Sequence, residues 1–192
     1  MKTAWIDVET SGLDPWKNGI LQLAIIIEEQ TGEIIHQQVL HIRPFDGDKV
    51  EESALEVNGF TASDIEGFMI PKDAHLSLTA LLDKHVARFD PMDKMVFAGY
   101  NANFDNEFVR SFFIKAGDKY YGSYFFSPVL DVMSFVADAI RKGVLAPAKS
   151  FKLVDVCERL KVDVVGSAHD ALVDIKATRE VYEALYAKRG QP

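Results

Sequence analysis

The sequence predicts an α/β domain built on a mixed central sheet, and three observations carry that prediction. The first third holds three apolar or alternating runs of strand length, and the remainder alternates helix-period segments with a further strand. The 192 residues suffice for one compact domain with a sizeable core and fall short of two. No internal repeat, low-complexity tract or Gly/Ser/Pro-rich linker interrupts them, so residues 1–192 are expected to form a single domain.

Thr3–Val8 is short and mostly apolar and reads as the first strand. Ile20–Glu28, with Leu21, Leu23, Ala24, Ile25, Ile26 and Ile27, reads as the second. Glu33–Ile42 alternates loosely after Gln30-Thr31-Gly32, a hairpin-turn signal, and supplies the third. Residues 43–75 are rich in Pro, Gly, Asp and Glu and predict a long connection with a short helix. Leu78, Leu81, Leu82, His85, Val86 and Phe89 then mark a helical face, and Met95–Tyr100 a fourth strand. Phe104, Phe108, Val109, Phe112 and Phe113 mark the next helix, followed by one through Val132, Phe135, Val136, Ala139 and Ile140. Leu153–Leu160 is a shorter helix, and Leu172, Ile175, Thr178, Tyr182 and Leu185 line the last.

Hydrophobic residues at 48% and charged residues at 26% match an ordinary globular protein. No apolar run could span a bilayer, and the start lacks the features of a secretory signal, so no membrane association is expected. The lone Cys157 excludes an intrachain disulfide and fits a cytoplasmic protein; its helical spacing from Leu153, Val156 and Leu160 makes it a small buried apolar residue. A net charge of −8 argues against coating long stretches of nucleic acid, but not against gripping a strand end.

Candidate chemistry gathers in three places. Asp7-Val8-Glu9 puts two carboxylates on one face of a strand. Two unit charges about 4 Å apart repel by roughly 4 kcal/mol at an effective dielectric of ~20, a cost that a divalent cation removes. The same pair would also suit a strand end where both acids turn to solvent. Asp105 follows the fourth strand in Asn101-Ala102-Asn103-Phe104-Asp105, where an acid also suits the first turn of a helix. Ser167-Ala168-His169-Asp170 reads as a capping box, Ser167 at the N-cap and Asp170 at N3, with Asp174 one turn on. Positions five apart on a helix differ by about 140°, so His169 and Asp174 can face one site only if His169 lies at the frayed start or in its loop. Asp170 shares a face with Asp174 and competes as a ligand.

Asp7-x-Glu9-Thr10-x-Gly12-Leu13, Asn101-x-x-Phe104-Asp105 and His169-Asp170-Ala171-Leu172-x-Asp174 resemble, in order and wide spacing, the three motifs of the DEDDh (DnaQ-like) 3′–5′ exonucleases. Ala54–Thr61 resembles that family's loop over the terminal nucleotide, and Ser150–Leu160 the helix before the last motif. The resemblance implies a ribonuclease-H-like three-layer fold with a five-stranded mixed sheet flanked by helices. It implies that Asp7, Glu9, Asp105 and Asp174 hold two divalent ions, magnesium or manganese, with His169 as general base and Asp170 non-catalytic. Asp7 would bridge the ions, Glu9 and Asp174 would serve the water-activating one, and Asp105 the other.

Thr10, Gly12, Leu13, Asn58, Asn101 and Phe104 would contact the 3′ end of a single strand: Gly12 by close backbone approach, Leu13 as a wedge and Phe104 by stacking. Asn58 stands where the family often has histidine, and Asp131 matches a recurrent acid read here as structural. Lys142, Lys149 and Lys152 form the locally basic stretch, a phosphate contact or simply solvated lysines. Trp5-Ile6-Asp7 and Thr10–Pro15 look like the oligoribonuclease branch. The later motifs look more like the proofreading branch, which tilts the substrate slightly to DNA, with an exoribonuclease as the alternative. A non-catalytic binding domain on this fold would be expected to lack one of the five residues. The chain ends 18 residues after Asp174, which favours a stand-alone trimming or repair nuclease over a proofreading partner. A polymerase or homodimer partner has no support in the sequence.

Overall fold

The computed structural model describes residues 1–166 and 169–189, omitting the side chains of 188 and 189. Five strands form one sheet: β1 (Thr3–Thr10), β2 (Ile20–Glu28), β3 (Ile34–His41), β4 (Val96–Gly99) and β5 (Leu130–Asp131). Their spatial order is β3-β2-β1-β4-β5; β1, β2 and β3 run antiparallel, while β4 and β5 join parallel to β1 and to each other. The helices are α1 (Glu52–Asn58), α2 (Ala62–Gly67), α3 (Pro71–Leu82), α4 (Ala102–Lys115), α5 (Val132–Arg141), α6 (Leu153–Leu160) and α7 (Ala171–Arg189). Helices cover both faces of this mixed sheet, the three-layer arrangement that was expected.

Period-two alternation divides the core. Ala4, Ile6 and Val8 of β1 face one side, packed with Leu78, Leu82, Phe108 and Phe112 of α3 and α4. Trp5 faces the other side, with Ala24 and Ile26 of β2 and Val132, Val156 and Ile175 of α5, α6 and α7. Every residue of β2 is buried, the mark of a strand covered on both faces. Cys157 is buried as a small apolar residue.

Several boundaries differ from the sequence expectation. The 43–75 connection holds α1, α2 and the first turn of α3, which starts with Pro71 at a position where its missing N–H costs nothing. That helix stops at Leu82, so His85, Val86 and Phe89 lie beyond its end, Val86 buried and Phe89 exposed. The fifth strand is two residues long, too short for periodicity to show.

Asp131 has the structural role expected of it. Its Oδ1 accepts from the N–H groups of Asn101 at 2.9 Å and Met133 at 3.1 Å, and its Oδ2 accepts from the Ser134 hydroxyl at 2.9 Å. It thereby caps α5 and ties that helix to the corner where β4 turns into α4. Asp131→Ala removes the cap of α5 and its tie to Asn101, and a thermal melt is expected to fall by roughly 2–6 °C, equivalent to about 1–2 kcal/mol.

Candidate active site

β1 delivers the first two acids. Its register sets Asp7 opposite Ala24 and Glu9 opposite Gln22, so both carboxylates lie on the α7 face of the sheet, with a small residue beside Asp7. α4 delivers the third: Asp105 is buried in its first turn, and its Oδ1 accepts the Val8 N–H at 3.0 Å. The left-handed backbone of Asn101 (φ 59°), a conformation asparagine tolerates, makes the sharp turn into that helix.

The start of α7 corrects the capping-box expectation. Ser167 lies outside the described residues. Asp170 is not at N3: it precedes the helix, and its Oδ1 accepts from the N–H groups of Leu172 at 2.9 Å and Val173 at 3.3 Å, as a capping residue does. His169 lies before the helix with φ 63°, and its N–H donates to Asp174 Oδ2 at 3.3 Å. This loop position removes the angular conflict, and ligand atoms of Glu9, His169 and Asp174 fall within 4.8 Å of one another.

Asp7 and Asp105 complete the cluster electrostatically. Burial lifts the Asp7 carboxyl well above the ordinary range, and Asp105, Asp174, Glu9 and Asp170 push the same way. Glu9 is pushed up to about 8, by burial first and then by Asp174, Asp105 and Asp170. Asp105 is pushed up to about 7 by burial, against the opposing N–H of Val8. Asp174 is raised by burial, with the N–H and ring of His169 opposing. Among the described residues no lysine or arginine forms an ion pair with any of the four. Carboxylate oxygens crowded in this way, without a protein counter-charge, fit hard divalent cations.

That arrangement ties stability to pH. Groups whose folded pKa is raised hold protons more tightly when folded, so their stabilisation is complete below the unfolded values. It is lost as pH rises from the ordinary glutamate value of 4.5 to about 8 for Glu9, and through about 7 for Asp105. In chelator the protein is expected to melt roughly 5 °C lower at about pH 8.5 than at about pH 5.5. Magnesium or manganese should raise the melting temperature more at the higher pH, as scanning fluorimetry would show.

The expected substrate residues separate. Leu13 is 81% exposed on the bend after β1, free to wedge. Gly12 is needed for the protein's own packing: a Cβ there would lie 2.3 Å from the Asn18 amide and 2.6 Å from Glu51 Oε1. The Thr10 hydroxyl is buried and donates to the Gly12 carbonyl, while Asn58 Nδ2 donates to the Thr10 carbonyl at 3.1 Å, holding α1 against the end of β1. Phe104 is half-buried against Phe108, centroids 4.9 Å apart.

A cleft of about 660 Å³ opens beside His169 and Asp174, lined also by Tyr100, Asn101, Met133, Phe151 and Lys152. Phe151 and Lys152 adjoin in sequence, and an aromatic next to a base was the available signal for this wall. The Tyr100 hydroxyl fastens it by donating to the Phe151 carbonyl. Lys142 instead pairs with Asp138 at 2.8 Å, and Lys149 is exposed away from the cleft's lining.

The exonuclease family profile matches residues 4–182. The chain belongs to the exonuclease family. It is of the DEDDh type, a 3′–5′ exonuclease within the ribonuclease-H-like superfamily. Ribonuclease T of Actinobacillus pleuropneumoniae is 25% identical over 185 residues, which cover 94% of this chain and 81% of that protein. Ribonuclease T of Haemophilus influenzae is 27% identical over 183 residues, covering 92% and 76%. Escherichia coli exonuclease I in complex with a dT13 oligonucleotide shares the fold, with a TM-score of 0.78 at 22% identity. All of this chain is covered there but only 42% of exonuclease I, so the chain spans about two fifths of that protein. Among the described residues, no helix is long and apolar enough to cross a membrane.

Proposed function

We propose that the chain, acting as one domain, removes nucleoside monophosphates stepwise from single-stranded 3′ ends, with DNA somewhat preferred. Asp7, Glu9, Asp105 and Asp174 hold two magnesium or manganese ions, and His169 is the general base. The observation that carries this reading is the convergence of Glu9, His169 and Asp174 within 4.8 Å, beside the half-buried, crowded Asp7 and the buried Asp105. The bound ions would supply Lewis-acid activation of water and stabilise the leaving oxygen.

His169, exposed just before α7, takes the proton of the attacking water through a ring nitrogen, the usual chemistry of a general-base imidazole. The terminal nucleotide occupies the cleft lined by Tyr100, Asn101, Phe151 and Lys152. The aromatic ring supports a base without reading its identity, and the ammonium meets a phosphate. Leu13 separates the terminal base from its neighbour. The oligonucleotide held by exonuclease I supports a single-stranded substrate.

A second reading takes RNA as the substrate, favoured by the ribonuclease T names of relatives that cover more than nine tenths of this chain. Matched 5′-labelled DNA and RNA oligonucleotides, digested side by side with magnesium, manganese or chelator, separate the two. The proposal expects DNA to be shortened faster. Faster loss of RNA establishes the second reading, and inertness toward both would leave a non-catalytic binding domain.

A further inference from the structure

Gln22 interrupts the apolar run of β2, between Leu21 and Leu23, and is 4% exposed. A buried carboxamide needs partners, and here they lie far away in sequence. Its Oε1 accepts the Ala171 N–H at 2.8 Å, joining β2 to the first residue of α7. Its Nε2 lies 3.2 Å from His41 Nε2. The assignment follows from the donors: the Ala171 amide can only donate, so the carbonyl must face it, and the NH₂ group faces His41, which must offer a ring lone pair. The His41 ring packs against Phe68 and Phe60 at centroid distances of 5.1 and 5.9 Å.

The location gives this contact its consequence. Gln22 stands directly across from Glu9 in the β1–β2 register, and opposed residues share a face of the sheet. Of the first N–H groups of α7, those of Leu172 and Val173 go to Asp170, and that of Ala171 is left to Gln22. His169 lies two residues earlier in a left-handed conformation, and its N–H donates to Asp174 at 3.3 Å. The carboxamide therefore ties β2, at the point paired with Glu9 of β1, to the helix start that follows His169 and carries Asp174.

We infer that Gln22 is a positioning residue, whose carboxamide sets the start of α7 so that His169 and Asp174 meet Glu9 at working distance. This rests on the exonuclease reading above. Gln22→Leu keeps size and burial and removes the acceptor, while Gln22→Glu keeps an acceptor of the same reach. With Gln22→Leu, kcat on a labelled single strand is expected to fall about 10- to 100-fold with KM changed less than about twofold, the split that misplacement of reacting groups produces. Gln22→Glu should stay within about fivefold of the native kcat.

Amide exchange of the metal-free proteins gives a readout independent of activity. Gln22→Leu should lose protection about tenfold or more at residues 169–174 and keep it in α4. Where Gln22→Leu does not fold, Gln22→Asn, polar but one methylene shorter, carries the same expectations. The inference is overturned by a kcat within about twofold of native, by a loss in Gln22→Glu equal to that in Gln22→Leu, or by protection falling alike in α4 and α7. A native protein inert on every strand overturns the exonuclease reading instead, and the exchange comparison still decides the role of Gln22.

Discussion

Asp7→Asn is expected to abolish strand shortening, by about 10³-fold or more, while raising the melting temperature of the metal-free protein. The two effects have one cause. Asp7 is half-buried on the sheet face that carries Glu9, and loss of solvent together with Asp105, Asp174 and Glu9 disfavours its charge. Replacing the carboxyl with an isosteric amide removes that repulsion, and with it the ligand proposed to bridge two ions. A side chain kept for packing alone would show the opposite pattern, with lower stability and retained activity. Restoration of turnover by excess metal would argue against a bridging position, because added ions refill a weakened single site more readily than a lost bridge.

His169→Ala is expected to reduce turnover by about 10²- to 10⁴-fold and to leave metal-induced stabilisation largely intact. The residue sits outside α7 with φ 63°, so alanine also adds some backbone strain. His169→Asn tolerates that conformation and cannot act as a base. Equal losses in the two variants would assign the effect to the imidazole, and near-native activity in either would remove His169 from the proton transfer. Metal titrations followed by melting temperature belong beside the kinetics, because the ring also lies within 4.8 Å of Glu9 and Asp174.

The sequence made different parts of this site legible for different physical reasons. Asp7 and Glu9 were readable because a strand's two-residue period fixes which side chains point together. Asp105 was readable as a first-turn acid after a strand, and its bond to the Val8 N–H shows why that turn meets β1. The relation of His169 to Asp174 was not readable from spacing, because helical geometry does not extend to a residue in the left-handed region. Spacing alone favoured Asp170 as the ligand and only the motif resemblance preferred Asp174; the Asp170 carboxylate caps the helix. Phe151 and Tyr100 escaped notice because a cleft wall is assembled from segments about fifty residues apart. In the fold, the two-residue β5 and the short helices α1 and α2, which bury no residue, leave no periodic trace.

The most direct test of the account follows one 5′-labelled single strand with the native protein, in magnesium and in chelator. The account predicts a ladder of products shortened one nucleotide at a time from the 3′ end in magnesium and an intact strand in chelator. Release of the label as a mononucleotide, internal cuts without a ladder, or equal shortening in chelator would contradict it.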